Sequence, residues 1–461
     1  MSRACVGGPG LRWGAAAVCV FASSALGAAT ITTLYSFDNV HGAYPAGGLL
    51  RDAAGNLYGV TSGGGAQGYG TIFKIDGATH QLTTLASFAG SDGRTPVGLA
   101  RDGAGNLYGA TQNGGANDQG TVFKYSSATH TLSTLATFAG ANGRNPQAAP
   151  VLDSGGNLYG TTAGGGVGDA GILYTIPSAG GVLTTLATFA PSARSGSYGR
   201  VVIGDGGDLY GTTVAGGVQG GGTLFRYHQG VLSTIAEFAS PINPPLKGFS
   251  PQAGVVLGSA GTIYGTCTEG GTFLGGTIFE YAPSLPNLNA LASFKLETSG
   301  RTPQGELLRD GAGNLFGATY VGGANGFGSG AIVKYVKGPG GLVVVATFDG
   351  VNGENPVGSL IAGPDGTLYG VTSSGGSSYL GTVFAVTASG FVVPPSCPAD
   401  LDGDGVVDDA DFSIFVVAYE VLDCADPAMA PGCPSDLNAD GLVDDADFSI
   451  FVVAYEALLC P

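Results

Sequence analysis

Two runs of acidic residues near the C-terminus carry the clearest chemistry in the sequence. One reads CPADLDGDGVVDDADF from Cys397, and the other reads CPSDLNADGLVDDADF from Cys433. In each run, carboxylates recur at alternate positions before a glycine, which is the spacing of a calcium loop. Crowded carboxylates repel one another unless a cation lies between them. The sequence therefore predicts two bound Ca²⁺ ions.

The predicted ligands occupy positions 1, 3, 5, 7, 9 and 12 of each loop, and position 7 acts through its backbone carbonyl. In the first loop they are Asp400, Asp402, Asp404, Val406, Asp408 and Asp411. In the second loop they are Asp436, Asn438, Asp440, Leu442, Asp444 and Asp447. Position 12 is aspartate instead of the usual glutamate, so the helix that follows must lie closer to the ion.

Both loops continue into the segment DFSIFVVAYE, which the loop register predicts to be a helix. Such a helix is apolar on nearly every side. The two helices can cover one face of each other, and the remaining surface needs either the rest of the chain or a partner protein.

The one-helix loops, their duplication and the aspartate at position 12 resemble dockerin modules. The flanking cysteines make the tail similar to the glycine- and cysteine-marked dockerin-like domains of planctomycete-type bacteria. This resemblance covers residues 397–461 and implies an EF-hand-like module that attaches to a cohesin-like or other envelope protein.

The tail contains four cysteines, which allow three disulfide pairings. They are Cys397, Cys424, Cys433 and Cys460. If the two helices are antiparallel, the pairs Cys397–Cys460 and Cys424–Cys433 are favoured. Disulfides persist in oxidising compartments, so the cysteines indicate an exported protein.

The N-terminus is typical of a secretory signal. Arg3 and Arg12 precede an apolar run at 15–26, and small residues follow at 27–29. The run is short for a bilayer span, and no later stretch reaches about eighteen unbroken apolar residues. We therefore expect cleavage of a signal peptide at 1–29, a secreted or cell-surface location and no membrane span.

Charge divides the chain into two parts. The tail holds 15 acids and no Lys or Arg, which leaves 19 acids and 17 bases of the chain's 34 and 17 for residues 1–396. The overall net charge of −17 argues against binding to nucleic acid. We place a linker at 391–396 and the acidic module at 397–461.

Upstream of the linker the chain is a tandem repeat. The tripeptide Leu-Tyr-Gly, or a close variant, starts seven times at intervals of 50 to 54 residues. These starts are Leu57, Leu107, Leu158, Leu209, Ile263, Leu315 and Leu368. Each repeat contains four short pieces rich in β-branched and aromatic residues and separated by turn residues. The pattern predicts an all-β, seven-bladed β-propeller at 30–390, followed by the small helical module.

The ends of the repeat region predict how the ring closes. The fourth-strand piece first occurs as TITTLYSF at 30–37, whereas the last repeat largely lacks its own copy after GTVFAV. The N-terminal strand can therefore complete the final blade and remove its open edge. The segment FVV at Phe391 is an alternative occupant of that place.

The recurring G-N-L-Y-G-x-T and G-T-x-F signatures resemble the GloVer-type tandem repeats. The resemblance covers residues 30–390 and implies an exported bacterial surface protein with an attached anchoring device. It implies no particular activity.

Most notable residues of the propeller have structural interpretations. The repeated Leu, Tyr and Phe are expected to pack between blades, the D-x-x-G-N stretches to form turns, and His80 and His130 to occupy equivalent turns. Cys267 is expected to be a small buried residue. No set of nucleophile, base and oxyanion donor stands out.

One face of the propeller is a candidate for ligand binding. If the first strand of each blade is innermost, Arg94, Arg144 and Arg301 share a face with the glycine-rich loops, where a polar or acidic partner, such as a glycan, could bind. Solvated turn arginines are the alternative.

We expect a binding or structural propeller attached through its tail. The alternative function is a polysaccharide-active hydrolase or lyase that is carried by the dockerin-like module and has its site on this loop face.

Overall fold

The computed structural model describes residues 28–394, except 178–180, 191–195, 240–246, 286, 324–328 and 339. It also describes seven tail positions, namely Phe415, Ser435, Leu437, Val443, Asp447, Phe448 and Phe451. Residues 1–27 of the predicted signal peptide, most predicted calcium ligands and the four tail cysteines lie outside the described residues.

Seven antiparallel sheets form the predicted all-β, seven-bladed propeller. The strand β1 (Thr30–Ser36) precedes the first blade. Blade 1 contains β2 (Ala43–Arg51), β3 (Leu57–Gly63), β4 (Thr71–Ile75) and β5 (Leu82–Ser87). Blade 2 contains β6 (Arg94–Arg101), β7 (Leu107–Asn113), β8 (Thr121–Ser126) and β9 (Thr131–Thr137). Blade 3 contains β10 (Val151–Leu152), β11 (Asn157–Thr161), β12 (Ile172–Pro177) and β13 (Thr184–Thr188).

The remaining blades repeat this order. Blade 4 contains β14 (Val202–Ile203), β15 (Leu209–Thr213), β16 (Thr223–His228) and β17 (Val231–Glu237). Blade 5 contains β18 (Val256–Leu257), β19 (Ile263–Cys267), β20 (Thr277–Tyr281) and β21 (Asn289–Ser293). Blade 6 contains β22 (Arg301–Pro303), β23 (Leu308–Arg309), β24 (Leu315–Val321), β25 (Ala331–Val336) and β26 (Gly341–Thr347). Blade 7 contains β27 (Glu354–Ala362), β28 (Leu368–Ser374) and β29 (Thr382–Thr387).

The N-terminal strand closes the ring, as the sequence predicts. β1 pairs with β29 from Thr30 opposite Thr387 to Ser36 opposite Thr382, and it becomes the fourth strand of blade 7. The alternative segment packs elsewhere, because the ring of Phe391 lies 5.2 Å from that of Phe316 in blade 6. Because β1 covers β29, the third strand of blade 7 has no unpaired edge.

Aromatic contacts join neighbouring blades. At six of the seven junctions, the phenylalanine after a fourth strand meets the aromatic residue of the next blade's third strand, as in the edge-to-face pair Phe88 and Phe123, with ring centroids 5.0 Å apart. Five other junctions repeat this contact. Each such pair contributes about 1 kcal/mol beyond the burial of its area. The prediction that the repeated aromatics pack between blades is confirmed.

The glycines of the two signatures occupy places that a side chain cannot enter. A Cβ on Gly109, from Leu-Tyr-Gly, would lie 2.4 Å from Cζ of Phe123. Gly120, which begins the G-T-x-F piece, has φ +99°, and its Cβ would lie 2.9 Å from Cδ of Pro146 in the next blade. The signatures therefore record close packing within and between blades.

Outside the sheets, the described residues contain three one-turn 3-10 helices. They are Val167–Asp169, Asp205–Gly207 and Ser259–Gly261. No helix in the described part of the chain has the length and hydrophobicity needed to span a bilayer.

Candidate functional site

The predicted arginine face exists, but two of its arginines already have acidic partners. Arg94 begins β6, the innermost strand of blade 2, whereas Arg144 precedes β10 of blade 3 and pairs with Gly164 in a glycine-rich loop. Arg94 Nη2 donates to Asp118 at 2.6 Å, and Arg144 Nε donates to Asp169 at 2.8 Å. Arg301 is exposed at the start of β22. An acidic ligand would have to compete with these carboxylates for Arg94 and Arg144.

The D-x-x-G-N stretches are structural turns, as predicted. The carboxylate of Asp52 accepts hydrogen bonds from the Asn56 backbone at 2.8 Å, the Asn56 side chain at 2.8 Å and the Tyr58 hydroxyl at 3.0 Å. Burial alone would raise the pKa of Asp52, but these hydrogen bonds outweigh burial and lower it. These turns follow the C-terminal ends of the innermost strands. They therefore lie on the face of the propeller opposite the arginine face.

His80 and His130 also behave as predicted turn residues. They occupy the left-handed region at φ 57° and φ 54° in equivalent turns between third and fourth strands. Cys267 lies fully buried opposite Thr277, where other blades pair two threonine hydroxyls, such as Thr111 and Thr121 at 2.9 Å. Burial raises the pKa of the Cys267 thiol, which disfavours the reactive thiolate.

The innermost strands surround a central channel with a volume of about 470 Å³. This volume lies within the roughly 300–1,000 Å³ of small-molecule sites. Its walls differ in chemistry. Blades 4 to 6 contribute the polar wall, which we define as Tyr198, Arg200, Gln252, Gln304 and Glu306. Blades 7, 1 and 2 contribute the apolar wall, which we define as Ala46, Leu50, Val97 and Ile361.

Arg200 and Glu306 bring opposite charges into the polar wall. Glu306 extends toward blade 4 across Gly254, because a Cβ on Gly254 would lie 2.3 Å from Oε1 of Glu306 and 2.8 Å from the Arg200 carbonyl oxygen. The Nε of Arg200 is buried and donates no hydrogen bond within the described structure. Among the described residues, the Nε atoms of Arg51 and Arg94 are also buried without a partner, so this property does not by itself mark a site.

Burial raises the pKa of Glu306 above its ordinary value. The positive charge of Arg200 and a hydrogen bond with the Ser359 side chain act in the opposite direction and offset only part of this effect. Glu306 therefore holds a proton more readily than an exposed glutamate does.

A titration of stability should reveal this property of Glu306. A group with a raised folded-state pKa contributes stability below its unfolded pKa, and that stability is lost as pH rises through the folded pKa. We expect the urea midpoint of the wild type to fall as pH rises above the ordinary pKa of glutamate, and Glu306→Gln to flatten this fall.

The matched control for this titration is Asp52→Asn. The pKa of Asp52 is lowered, so its carboxylate stays ionised in both folded and unfolded chains over this range, and the stability lost in Asp52→Asn should not vary with pH. An unchanged pH slope in Glu306→Gln would contradict the proposed environment of Glu306.

No motif or spacing in the sequence marks Arg200 and Glu306 as channel residues. Arg200 and Glu306 lie in YGRVVIG and PQGELLRD, which the strand pairing aligns with PQAGVVLG of blade 5. In this alignment they share one position with Gly254. A charged residue at a position occupied elsewhere by Gly, Ala or Ser is the signal that could have revealed them.

The described tail positions include one predicted calcium ligand. Oδ1 of the buried Asp447 accepts a hydrogen bond from the Leu437 backbone at 2.7 Å, so positions 2 and 12 of the second loop lie together. Phe415 of the first copy packs against Phe451 of the second, with ring centroids 5.0 Å apart. The other predicted ligands and the four cysteines are not among the described residues.

Comparison with solved structures finds matches at low sequence identity. The extracellular domain of a one-component system from B. thetaiotaomicron is 14% identical over 76% of this chain, with a TM-score of 0.47, and the match covers 40% of that protein. A gluconolactonase from Xanthomonas campestris is 11% identical over 78% of this chain and 90% of its own, with a TM-score of 0.41. TolB from Acinetobacter baumannii is 15% identical over 65% of this chain and 62% of its own, with a TM-score of 0.38.

No match was found among curated proteins. The sequence model of the Gloeobacter/Verrucomicrobia repeat, by contrast, matches residues 19–102, 90–244 and 202–394. These segments span the whole propeller and agree with the GloVer-type resemblance of its signatures. The chain therefore belongs to the Gloeobacter/Verrucomicrobia repeat family.

Proposed function

We propose that this protein is exported and acts as a binding module, held at the cell surface or in an extracellular assembly by its C-terminal tail. One observation carries the proposal: the chain leaves the propeller on the face opposite the arginine loops. Membership of a repeat family consistent with extracellular proteins supports export.

The departure point of the tail is held by several contacts. The Val392 carbonyl accepts a hydrogen bond at 2.8 Å from the backbone of Gly311, which lies in the turn between β23 and β24. Lys334 Nζ donates to the Gly390 carbonyl at 2.8 Å. The segment that precedes the tail is thus anchored to blade 6, and an attached propeller would present its loop face away from the attachment point.

In this proposal the tail is a dockerin-like module that binds two Ca²⁺ ions. The oxygen-only set of predicted ligands suits a hard cation. The hydrogen bond from Leu437 to Asp447 supports the loop register, because it brings the ends of the second loop together. Asp447 is fully buried in the described structure, and a neighbouring cation would stabilise such a carboxylate. The partner would be a cohesin-like or other envelope protein.

The polysaccharide enzyme remains the alternative prediction. A pair of carboxylates within reach of one another is typical of glycoside hydrolases. Among the described residues that line the channel, Glu306 is the one carboxylate. This lining supports a binding role for the propeller.

Attachment can be tested with envelope fractions from the source cell. The mature chain should sediment with the envelope in calcium and be released by a chelator, with at least a tenfold change in the bound fraction. A chain that ends at Pro394 is the matched control and should not sediment in either condition. Retention of this shortened chain, or calcium-independent retention of the mature chain, would contradict attachment through the tail.

A further inference from the structure

We propose that the central channel binds an uncharged, polyhydroxylated ligand of the size of one or two sugar rings. The proposal rests on the proposed binding role of the propeller and names its site and ligand class. It moves the site from the arginine loops to the channel between the polar and apolar walls.

Charge balance in the channel favours an uncharged ligand. The ionised form of Glu306 has a charge opposite to that of Arg200, and its carboxylate fills the space beside Gly254 in the polar wall. An anionic ligand would gain from Arg200 but be repelled by Glu306, and a cationic ligand would meet the reverse arrangement. Hydroxyl groups can accept hydrogen bonds from the guanidinium and donate to the carboxylate at the same time.

Unused hydrogen-bonding groups in the polar wall suit many hydroxyls. Arg200 lines the channel, and its guanidinium forms no salt bridge within the described structure. Gln147, at the edge of the channel, has its amide engaged with Gln112 at 2.5 Å and with the Asn145 carbonyl at 3.3 Å. Within the same described ranges, Gln252 and Gln304 form no such side-chain bonds, so their amides are available to a ligand.

The apolar wall is suited to contact the face of a sugar ring. A sugar ring presents C–H groups on its faces and hydroxyls around its edge. Ala46, Leu50, Val97 and Ile361 can contact such a face while the polar wall meets the edge. Tyr198 has 38% of its surface exposed beside Arg200, and its aromatic ring offers a further contact for C–H groups.

The loop face is less suited to this role. Arg94 and Arg144 are paired with Asp118 and Asp169, so their guanidinium groups are already partly satisfied. Exposed pairs of this kind contribute little energy on their own. The free donors and acceptors of the channel make it the stronger site.

The test uses the mature full chain with two probe sets. Free neutral monosaccharides and disaccharides are examined by saturation-transfer NMR and calorimetry, and a glycan array presents neutral and acidic glycans. We expect binding to at least one neutral sugar. We expect two variants to raise the dissociation constant about tenfold to a hundredfold. They are Gln304→Ala and the double variant Arg200→Met with Glu306→Gln.

The double variant removes both charges together, so neither is left buried and unpaired. Arg94→Met is the matched control on the loop face and should leave the dissociation constant unchanged. Binding should also persist in a chelator, because the channel contains no predicted calcium ligand. Failure of the mature chain to attach in calcium, with sugar binding retained, would therefore overturn the tail proposal alone.

Three results would overturn the channel site. They are the absence of binding to every neutral probe, a preference for acidic glycans, and an affinity that depends on Arg94 but not on Gln304. Circular dichroism of each variant verifies that the propeller has folded.

Discussion

Removal of calcium from the mature chain is expected to unfold residues 397–461 and leave the β structure of the propeller intact. The tail has 15 acidic residues and no Lys or Arg. Without a cation, the clustered carboxylates repel one another in the folded loops. Binding energy that is absent from the unfolded chain becomes folding energy, about 4 kcal/mol when free calcium exceeds the dissociation constant a thousandfold.

Calorimetry can separate the two parts of the molecule. In calcium we expect two transitions, and in a chelator we expect the tail transition to disappear while the propeller transition keeps its midpoint. Far-UV circular dichroism should lose helical signal and retain β signal. Calcium titration of the mature chain should show uptake of two ions at or below about millimolar concentration.

Two variants with the same change of charge make the ligand register testable. Asp440 occupies position 5 of the second loop, whereas Asp445 falls between the predicted ligands. Asp440→Asn is expected to weaken calcium binding by about tenfold or more, because it replaces a carboxylate ligand by a weaker amide. Asp445→Asn should change it far less. Equal effects in the two variants would show that general charge, and not the loop register, governs binding.

Deletion of residues 30–36 from the mature chain is the second change with a large expected effect. This segment contains β1, which supplies the fourth strand of blade 7 by pairing with β29. Its side chains Ile31, Leu34 and Tyr35 pack against buried clusters of the propeller. Loss of these contacts should cost about 4–6 kcal/mol, a large share of the 5–15 kcal/mol typical of folded proteins.

Urea unfolding and size-exclusion chromatography measure this effect. The shortened protein should unfold at a lower urea midpoint and form aggregates, because deletion exposes the long edge of β29. The chain that ends at Pro394 is the control and should retain the midpoint of the propeller. An unchanged midpoint after the N-terminal deletion would show that ring closure does not depend on β1.

Much of the fold could be predicted because its determinants are local and repeated. The seven Leu-Tyr-Gly pieces count the blades, and the early TITTLYSF piece predicts the closing strand. Periodic aromatic residues predict the packing between blades, since each blade buries the same face against its neighbour. The turn roles of Asp52, His80 and His130 could be predicted for the same reason. The calcium loops likewise depend on spacing within 12 residues, and they stay a prediction.

The tertiary structure alone determined which side chains face the channel and which are already paired. Arg200 and Glu306 lie two blades apart, and the charge of Arg200 acts on Glu306 only because the ring closes around the innermost strands and Gly254 between them leaves room for the Glu306 carboxylate. The partner of Arg94 could not be predicted from the composition of its loop, because Asp118 lies 24 residues further along the chain, in the connection between β7 and β8. Long-range packing decides such contacts, and a single-sequence pattern describes only neighbours along the chain.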